Sequence, residues 1–534
     1  MAVGSRTLHD LVFAGADRHA EHLAVKDGNT AITYREFARE IGHLADGLRR
    51  LGIRRHDRVA VYLDKRVETV TAIFAAFATG AVAVPCNPVL KPHQLGHILR
   101  DSGARILVTS RGRLQGLANE LDGAALTSVI VTDSDTEADE LAGVPIAVWQ
   151  TLRGLADSTS PPTPPVLETD MAAILYTSGS TGWPKGVLLS HRNMVVGAQS
   201  VAHYLNNGPG DRLLAVLPLS FDAGFSQLTT AFASGATAVL HNYLMPRDVP
   251  KVCAREGITG LTCVPPLWMQ LRQVIWPDEA RAAMRYIANT GGRMPREVLN
   301  QLRAIFPNAK PYLMYGLTEA FRSTYLDPAE VDRRPDSIGK AIPNAEIQVV
   351  RPDGQLAGPD EPGELVHRGP LVAMGYWNDP ERTAERFKPA PDQPAGLPFP
   401  EIAVWSGDQV KYDADGFLYF IGRGDEMIKT SGYRVSPTEV EEVIFTSGRV
   451  AEAAAFGVPH ATLGEAIVAA IVPRDHRDPS VRDDVMAHCR QALPRFMVPE
   501  TVIVHAHLPR SANGKIDRKA LAATYNENAV EPGA

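Results

Sequence analysis

The chain has 534 residues, of which 45% are hydrophobic and 22% charged, which is typical of globular proteins and too long for one hydrophobic core. Its formal net charge of −7 excludes the strongly basic surface that nucleic-acid-binding proteins present. The four cysteines are scattered without metal-ligand spacing, and no stretch reads as a signal peptide or as an apolar run of about 20 residues. We therefore expect a cytoplasmic protein without a membrane span.

The first two thirds of the chain alternate strand and helix patterns. DRVAVYL (57–63) predicts a strand, VETVTAIFAAFATG (67–80) predicts a helix that ends at glycine, and AVAVPCNP (81–88) predicts another strand. Two more series of the same kind follow, from Asn193 to Leu240 and from Val249 to Met314. This alternation predicts an α/β fold whose parallel sheets are covered by helices.

The pattern changes in the last third of the chain. Short strand signals separated by glycine turns fill residues 339–422, and helix and strand patterns alternate again after Arg423. We expect a large N-terminal domain at residues 1–424, which includes a small β-rich subdomain at about 339–424. Residues 425–534 are enough for a small, mobile α+β domain of their own.

A glycine-rich loop interrupts the apolar pattern in ILYTSGSTGWPKGVLLSH (174–191). Thr, Ser and Gly surround the single Lys185, after a predicted strand and before a helix pattern at HRNMVVGAQSVAHYL (191–205). Closely spaced backbone N–H groups together with a lysine can bind phosphate. The spacing from Gly182 to Lys185 does not match the Walker pattern. The sequence therefore predicts a phosphate loop of another type, and the alternative is a flexible surface loop.

Five further motifs follow the loop, and each taken singly would be an ordinary turn, ion pair or core segment. They are YGLTEA (315–320), GELVHRGPLVAMGYWNDPERT (363–383), WSGDQV (405–410), GRGDEMIKTSGYRVSPTEVE (422–441) and LPRSANGKIDRKAL (508–521). Together and in this order they resemble the AMP-forming acyl and aminoacyl adenylating enzymes, which include acyl-CoA synthetases, luciferases and the adenylation domains of peptide synthetases. The chain around SFDAGF and YGLTEAFRSTYL most resembles the ligases found in exosortase-associated gene sets.

The resemblance implies that the chain binds ATP and Mg²⁺. The implied catalytic residues are Thr318 at the α-phosphate, Glu319 at the metal, and Lys515 between the substrate carboxylate and the α-phosphate. The other implied ATP-binding residues are Thr177, Ser178, Gly179, Ser180, Thr181, Gly182 and Lys185 for the outer phosphates, Gly291, Gly292 and Tyr315 for adenine, and Asp408 and Arg423 for ribose.

The implied reaction has two halves. The carboxylate of the substrate first displaces pyrophosphate from ATP to form acyl-AMP, and a thiol then takes the acyl group. The small C-terminal domain would rotate between the halves about Asp425, withdraw Lys515 and bring Gly432 to a tunnel for the thiol. The thiol would be CoA or the phosphopantetheine of a carrier protein, and the sequence does not choose between them.

The resemblance also implies an acyl pocket. Its residues would be Phe221, Asp222, Ala223, Ser226, Cys263, Thr290, Met314, Arg322 and Ser323. In peptide-synthetase domains the position of Asp222 pairs with the α-amino group of an amino acid. A buried Arg322 must also be paired, either with Asp222 or with a second carboxylate on the substrate. The small and polar side chains of the set do not favour a long alkyl chain.

The leading hypothesis is an ATP-dependent acid–thiol ligase that acts on a small carboxylic acid. The first alternative is a stand-alone amino-acid adenylating enzyme that loads a carrier protein in trans. A luciferase-like monooxygenase is a second alternative, although no sequence feature supports oxygen chemistry. A non-catalytic nucleotide-binding protein is the third, and the presence of Lys515, Glu319 and Asp408 argues against it.

Overall fold

The structure is a computed structural model, and the helices it contains follow the predicted alternation with strands. It describes residues 5–114, 116–134, 140–154, 165–177, 184–394, 396–423, 427–430, 433–460, 463–493, 495–511 and 514–530. The helices are α1 (Leu8–Arg18), α2 (Tyr34–Arg50), α3 (Val67–Thr79), α4 (Pro92–Ser102), α5 (Trp149–Gly154), α6 (His191–Tyr204), α7 (Asp222–Ser234), α8 (Asp248–Glu256), α9 (Pro265–Leu271), α10 (Asp278–Ala283), α11 (Arg296–Ile305), α12 (Pro380–Arg386), α13 (Pro437–Thr446), α14 (Val481–Ala492) and α15 (Arg518–Val530).

The strands alternate with the helices in the first two thirds of the chain and follow one another in the last third. They are β1 (Leu23–Asp27), β2 (Thr30–Thr33), β3 (Arg58–Val61), β4 (Val82–Pro85), β5 (Ile106–Thr109), β6 (Ser128–Val131), β7 (Glu140–Leu141), β8 (Val144–Val148), β9 (Met171–Thr177), β10 (Lys185–Ser190), β11 (Arg212–Ala215), β12 (Thr237–Leu240), β13 (Gly260–Cys263), β14 (Tyr286–Asn289), β15 (Lys310–Tyr315), β16 (Thr324–Leu326), β17 (Ser337–Ala341), β18 (Glu346–Val350), β19 (Gly363–Arg368), β20 (Gly375–Tyr376), β21 (Phe387–Pro389), β22 (Ile402–Tyr412), β23 (Leu418–Arg423), β24 (Ile428–Thr430), β25 (Tyr433–Val435), β26 (Val450–His460), β27 (Gly464–Pro473) and β28 (Thr501–Val504).

Within the described residues the strands form three sheets. The largest has the order β18-β19-β22-β23-β17-β16-β15-β14-β13-β11-β12-β1-β2, and its run from β15 to β1 is parallel. The second has the order β20-β10-β9-β4-β3-β5-β6-β8-β7, with a parallel centre from β4 to β8. The third is the small sheet of β24 to β28 near the C-terminus. The α/β fold class with a small C-terminal domain is therefore confirmed.

The largest hydrophobic core lies among α1, α2, α3, α6 and α7, against strands of both large sheets. The rings of Phe37, Phe74 and Phe232 pack with their centroids 5.2–6.0 Å apart, and all three side chains are almost completely buried. The predicted helix at 67–80 is α3, and it ends where Gly80 adopts a left-handed φ of 76°. The core thus fixes α6 and α7, the helices that flank the site described below.

The β-rich segment continues the parallel sheet rather than forming a sheet of its own. Strand β16 pairs antiparallel with β15, β17 with β16, and β23 with β17. An added Cβ at Gly339 in β17 would lie 1.8 Å from the carbonyl oxygen of Tyr325, so only glycine allows this close approach of the strands. Residues predicted in separate subdomains therefore share one sheet.

One element after the glycine-rich loop was not predicted. Residues Lys185–Ser190 form strand β10, which pairs antiparallel with β9. Its pairing on both edges, with β9 and β20, and the complete burial of Val187 and Leu189 favour the strand. Strands β9 and β10 therefore form a β-hairpin, and helix α6 begins at His191, where the helix was predicted.

The C-terminal sheet contacts the larger part of the chain through ion pairs at α11 and just before it. Arg474 lies 2.9 Å from Glu297, and Arg293 lies 2.7 Å from Glu442. The predicted domain boundary falls at residues 424–426, outside the described residues, so the division at 424 stays a prediction. Among the described residues, no helix has the length and apolar character that crossing a bilayer requires.

Candidate active site

The ends of the glycine-rich hairpin are held in register. Thr177 ends β9 and lies directly opposite Lys185, which begins β10. The Thr177 hydroxyl oxygen is buried and has no hydrogen-bond partner among the described residues, so it is available to a ligand. The predicted phosphate-loop residues between them, Ser178, Gly179, Ser180, Thr181 and Gly182, lie outside the described residues.

Lys185, Glu319 and Tyr376 form a compact polar cluster beside the hairpin. Lys185 Nζ donates to Glu319 Oε1 at 3.1 Å and to the Tyr376 hydroxyl at 2.8 Å, and that hydroxyl donates to Glu319 Oε1 at 2.6 Å. Burial would raise the pKa of Glu319, but the Lys185 ammonium and the hydrogen bond from Tyr376 lower it below its ordinary value. The cluster thus presents an ionised carboxylate and an ammonium side by side.

A strained turn places Glu319. Strand β15 ends at Tyr315, and a short 3₁₀ turn, Thr318–Ala320, leads to Phe321, whose φ of 57° is in the left-handed region. Such a φ is uncommon for a bulky residue and is sustained by its surroundings. The Phe321 ring is fully buried against Gly197 of α6, where an added Cβ would lie 2.5 Å from the ring. Packing on α6 therefore holds the turn.

The predicted nucleoside residues come together at the end of β15. The Tyr315 hydroxyl donates to Asp408 Oδ2 at 2.5 Å, and Asp408 is almost completely buried in β22. Arg423 is the cross-strand partner of Asp408 in the β22–β23 pair, while its side chain lies outside the described part of the chain. Gly291 and Gly292 follow β14, and Gly291 has a left-handed φ of 75°.

The two charged residues of the predicted acyl pocket pair with each other. Arg322 Nη1 donates to Asp222 Oδ2 at 2.9 Å, and Thr318 Oγ1 donates to Asp222 Oδ1 at 3.3 Å. Arg322 is only 2% exposed. The sequence left two possible partners for Asp222, a substrate α-amino group and Arg322. In the structure Asp222 pairs with Arg322.

The remaining predicted pocket residues either line a cavity beside Arg322 or lie at the ends of neighbouring elements. A narrow cavity lies between α6, α7, β11 and β13, and its lining includes Ala223, Ser226, Met314 and Arg322. Its volume of about 20 Å³ holds about one water molecule. Phe221 precedes α7, Cys263 ends β13, Thr290 follows β14, and Ser323 shares a 2.9 Å hydrogen bond with His367.

Of the three residues that we predict in the C-terminal part of the site, the structure describes only Lys515. Lys515 is exposed, and its side chain makes no hydrogen bond or ion pair with any residue that the structure describes. Asp425 and Gly432 lie outside the described residues. Their roles as catalytic lysine, hinge and tunnel residue stay predictions.

Two polar residues of the site have no role in the sequence-based account. Tyr376 lies within the motif at 363–383 and joins Lys185 to Glu319. His367, from the same motif, is fully buried behind Ser323, and burial lowers its pKa to about 3. The sequence signal for these two site residues was a tyrosine and a histidine inside apolar β-strands. Only the tertiary structure shows which groups their side chains contact.

The site fits one mode of Mg²⁺ binding. Within the described ranges, no three His, Cys, Asp or Glu side chains are grouped as a metal cage. Mg²⁺ in nucleotide sites keeps several waters and is held by one or two carboxylates together with substrate phosphates. Glu319 offers one ionised, partly buried carboxylate beside the predicted phosphate loop, which suits this mode.

Comparisons with known proteins agree with these features. The profile of the AMP-binding enzyme family matches residues 12–377, and that of the AMP-binding enzyme C-terminal domain matches residues 439–515. The chain is 31% identical to L-proline–(L-prolyl-carrier protein) ligase of Pseudomonas fluorescens, over 97% of this chain and 99% of that protein. It is 30% identical to feruloyl-CoA synthase of an Amycolatopsis species, over 92% and 94% of the two chains.

Longer relatives and solved structures extend the likeness. Gramicidin S synthase 2 of Brevibacillus brevis is 28% identical over 97% of this chain, which spans only 11% of that protein. ATP-bound MatB of Rhodopseudomonas palustris has a TM-score of 0.84 at 25% identity, covering 98% of this chain and 99% of that one. The o-succinylbenzoate CoA synthetase of Bacillus subtilis, solved with its acyl-adenylate, has a TM-score of 0.80 at 26% identity, covering 96% and 97%. None of these bears on the exosortase-associated subfamily, which stays a prediction.

Proposed function

The chain belongs to the AMP-binding enzyme family, and on that premise we propose that it is an ATP-dependent acid–thiol ligase. It activates a carboxylic acid as acyl-AMP, releases pyrophosphate, and passes the acyl group to a thiol. Its relatives include a carrier-protein ligase and a CoA synthase, so both kinds of thiol acceptor occur among similar chains.

One segment carries this proposal, because residues 315–322 contact residues of three predicted parts of the site. Tyr315 binds Asp408 at the nucleoside end, Glu319 binds Lys185 at the phosphate loop, and Arg322 binds Asp222 in the acyl pocket. Reaction between an acid and the α-phosphate of ATP needs the two substrates to be held side by side with their reacting atoms in contact. The segment supports a site that holds both substrates together.

The first half-reaction is mainly electrostatic. A carboxylate oxygen attacks the α-phosphorus, the bond from that phosphorus to the bridging oxygen breaks, and the electron pair leaves with pyrophosphate. Lys185 and the Thr177 hydroxyl offset the negative charge of the outer phosphates, and the Thr318 hydroxyl would turn its proton from Asp222 to the reacting phosphate. Mg²⁺, when bound at Glu319, would neutralise charge on the phosphates.

The second half-reaction uses a thiol from outside the chain. The acceptor sulfur attacks the acyl carbon, and AMP leaves with the electron pair of the broken C–O bond. The chain's own cysteines are unsuited to this step because all four are buried. Burial raises the pKa of Cys86 and Cys253 to about 12 and of Cys489 to about 11, and it raises that of Cys263 well above the ordinary value.

The finer assignments are part of the same proposal. The acceptor is CoA or a phosphopantetheine carrier in trans, and the C-terminal domain moves about Asp425 so that Lys515 serves the first half-reaction and Gly432 the second. Four buried, unpaired cysteines suit a reducing compartment, so we place the protein in the cytoplasm.

Mass spectrometry of the intermediate tests the proposal. The enzyme is incubated with ATP, Mg²⁺ and a panel of acids, quenched, and analysed for acyl-AMP, and then CoA or a phosphopantetheinylated carrier is added. We expect acyl-AMP with at least one acid and its conversion to a thioester. Asp408→Asn should lower acyl-AMP formation about 10- to 100-fold, because a charge-assisted contact is lost. Formation of ADP with an acyl phosphate would refute the proposal.

A further inference from the structure

The Asp222–Arg322 pair gives the acyl pocket a net charge of zero. Arg322 Nη1 lies 2.9 Å from Asp222 Oδ2, and the other oxygen of Asp222 accepts from Thr318. The Arg322 side chain is 3% exposed and that of Asp222 is 17% exposed. Because each charge already has an opposite partner, neither is left to attract a fully charged group on the substrate.

Arg322 nevertheless keeps donors to offer. The guanidinium carries five N–H groups and no acceptor. The bonds from its Nη1 go to Asp222 and to the carbonyl of Phe321, while its Nε is buried and has no partner among the described residues. Arg322 thus lines the narrow cavity and carries a buried donor without a partner among the described residues, which an acceptor on a ligand would satisfy.

The other polar groups of the cavity do not compete for this role. Both ends of the Gln227 amide are occupied, since Nε2 donates to the carbonyls of Leu214 and Thr262 and Oε1 accepts from the backbone of Leu217. The hydroxyls of Ser226 and Thr230 lie 3.5 Å apart and can adapt to either partner. The Tyr286 hydroxyl also lines the cavity and accepts from Asn207 Nδ2 at 3.4 Å. Among the described lining residues, Arg322 is the charged donor.

We propose that the acid activated here is short and carries an uncharged hydrogen-bond acceptor, such as a hydroxyl, keto or amide oxygen, which Arg322 binds. This inference rests on the proposed function and names its substrate class. A neutral acceptor satisfies the free donor of Arg322 and leaves the Asp222–Arg322 pair intact. The pocket therefore keeps its net charge of zero when the substrate is bound.

The same charges disfavour the other substrate classes. The ammonium of an amino acid would have to share Asp222 with Arg322, which leaves one excess positive charge in a buried pocket. A second carboxylate would leave one excess negative charge there in the same way. A long alkyl chain offers Arg322 no acceptor.

A chain-matched panel of acids tests the proposal. Pentanoic, 4-oxopentanoic, 3-hydroxypentanoic, 2-aminopentanoic and pentanedioic acids are titrated calorimetrically into the full chain with a non-hydrolysable ATP analogue and Mg²⁺. We expect the oxo or hydroxy acid to bind about 10- to 100-fold more tightly than pentanoic acid, and more tightly than the amino acid and the diacid. Equal affinities, preference for a charged acid, or no binding of any acid would overturn it.

Two variants link the preference to Arg322. The double variant Asp222→Asn with Arg322→Met removes both charges together. Its affinities for the oxo or hydroxy acid and for pentanoic acid should differ by less than about threefold. The control Arg303→Met breaks the exposed Arg303–Asp332 pair and should keep the wild-type preference. A preference that survives in the double variant would also overturn the proposal. Binding of the ATP analogue alone, measured in parallel, tests the proposed function separately.

Discussion

The Tyr376 hydroxyl joins the predicted phosphate lysine to the predicted metal carboxylate. It donates to Glu319 at 2.6 Å, accepts from Lys185 at 2.8 Å, and lies on β20 at the edge of the sheet that carries the hairpin. When ATP and Mg²⁺ bind, Lys185 must shift part of its contact from Glu319 to phosphate. Glu319 must in the same way shift part of its contact from Lys185 to the metal. The hydroxyl gives both groups a fixed partner during that exchange, so we regard Tyr376 as a positioning residue.

Tyr376→Phe should weaken this positioning without disturbing the fold. We expect kcat/KM for ATP to fall about 10- to 100-fold, because two charge-assisted hydrogen bonds are lost. The Mg²⁺ concentration needed for half-maximal rate should rise, which a merely structural role would not produce. The measurement is an Mg²⁺ titration of acyl-AMP formation. Tyr412→Phe, which removes a hydroxyl bonded to the carbonyl of Ala357, is the control and should behave like wild type.

His367 gives the protein a defined sensitivity to acid. It is buried and neutral, and burial lowers its pKa from 6.5 to about 3. Between those values the unfolded chain binds a proton that the folded chain does not, so stability falls as the pH drops below about 6.5. From pH 7 to pH 5 this single group removes about 2 kcal/mol from the free energy of unfolding.

His367→Asn should therefore reduce the loss of stability in acid, because the amide can replace the bond to Ser323 and does not titrate. Urea unfolding at pH 7 and pH 5 measures the effect. The wild type should lose about 2 kcal/mol more than the variant over this range. The exposed His476→Asn is the control, and an identical acid response in wild type and His367→Asn would refute the assignment.

A site residue was predictable where a motif assigns it a role. It was not predictable where only the tertiary packing brings it to its partners. Asp408, Tyr315 and Glu319 were expected together, and the structure brings each to a partner in the site. Tyr376 and His367 were not expected, because their partners lie tens to hundreds of residues away in sequence. Local patterns carry no information about such distant pairs.

At the scale of elements, the first turn of α7 carries the charged residue that we predict in the acyl pocket. Asp222 is its first residue, and Gly224 lies so close to the preceding loop that an added Cβ would be 2.0 Å from the carbonyl oxygen of Pro218. Glycine therefore lets the helix start directly against the chain that leads into it. The position of Asp222, and through it that of Arg322, depends on this contact.

Two glycine-to-alanine substitutions should have opposite effects on stability. Gly224→Ala should lower the free energy of unfolding by about 1–3 kcal/mol, because the methyl group meets backbone. Gly42→Ala lies within α2, with nothing within 4 Å of the new methyl group, and should raise it by about 0.4–1 kcal/mol. Urea unfolding of both variants measures this, and a neutral or stabilising Gly224→Ala would show that the loop readily moves away.

Most elements were predictable because their periodicity is strong, as in α3 and its flanking strands. Strand β10 was not expected, because a short apolar run between a loop and a helix does not distinguish strand from helix. The joining of β16, β17 and β23 to the parallel sheet was also not expected. That pairing depends on the close approach at Gly339, which no local pattern reveals.

At the scale of the whole molecule, ion pairs that can break and re-form connect the C-terminal sheet to the larger part of the chain. The pairs Arg474–Glu297 and Arg293–Glu442 are partly exposed. Ion pairs of this kind contribute about 0–1 kcal/mol each. Lys515 is exposed and contacts none of the described site residues, so its proposed part in adenylation would need a different arrangement of the C-terminal domain. The weak contacts are compatible with that movement.

Lys515→Ala should separate the two half-reactions. We expect the rate of acyl-AMP formation to fall about 10²- to 10³-fold, because a charge that meets developing negative charge is lost. Thioester formation from supplied acyl-AMP should change little, because Lys515 has left the site by then. Stopped assays of each half-reaction measure this, with exposed Lys519→Ala as the control in the same segment. Equal losses in both halves would refute the two-arrangement account.

The most direct test of the central claim is exchange of labelled pyrophosphate into ATP. Reversible formation of enzyme-bound acyl-AMP returns label to ATP only when a suitable acid is present, and it requires no thiol. The account predicts acid-dependent exchange in wild type and a loss of about 10- to 100-fold in Asp408→Asn, which removes the negative charge from the contact with Tyr315. Protein that binds ATP but shows no exchange with any acid, or that converts ATP to ADP, would contradict it.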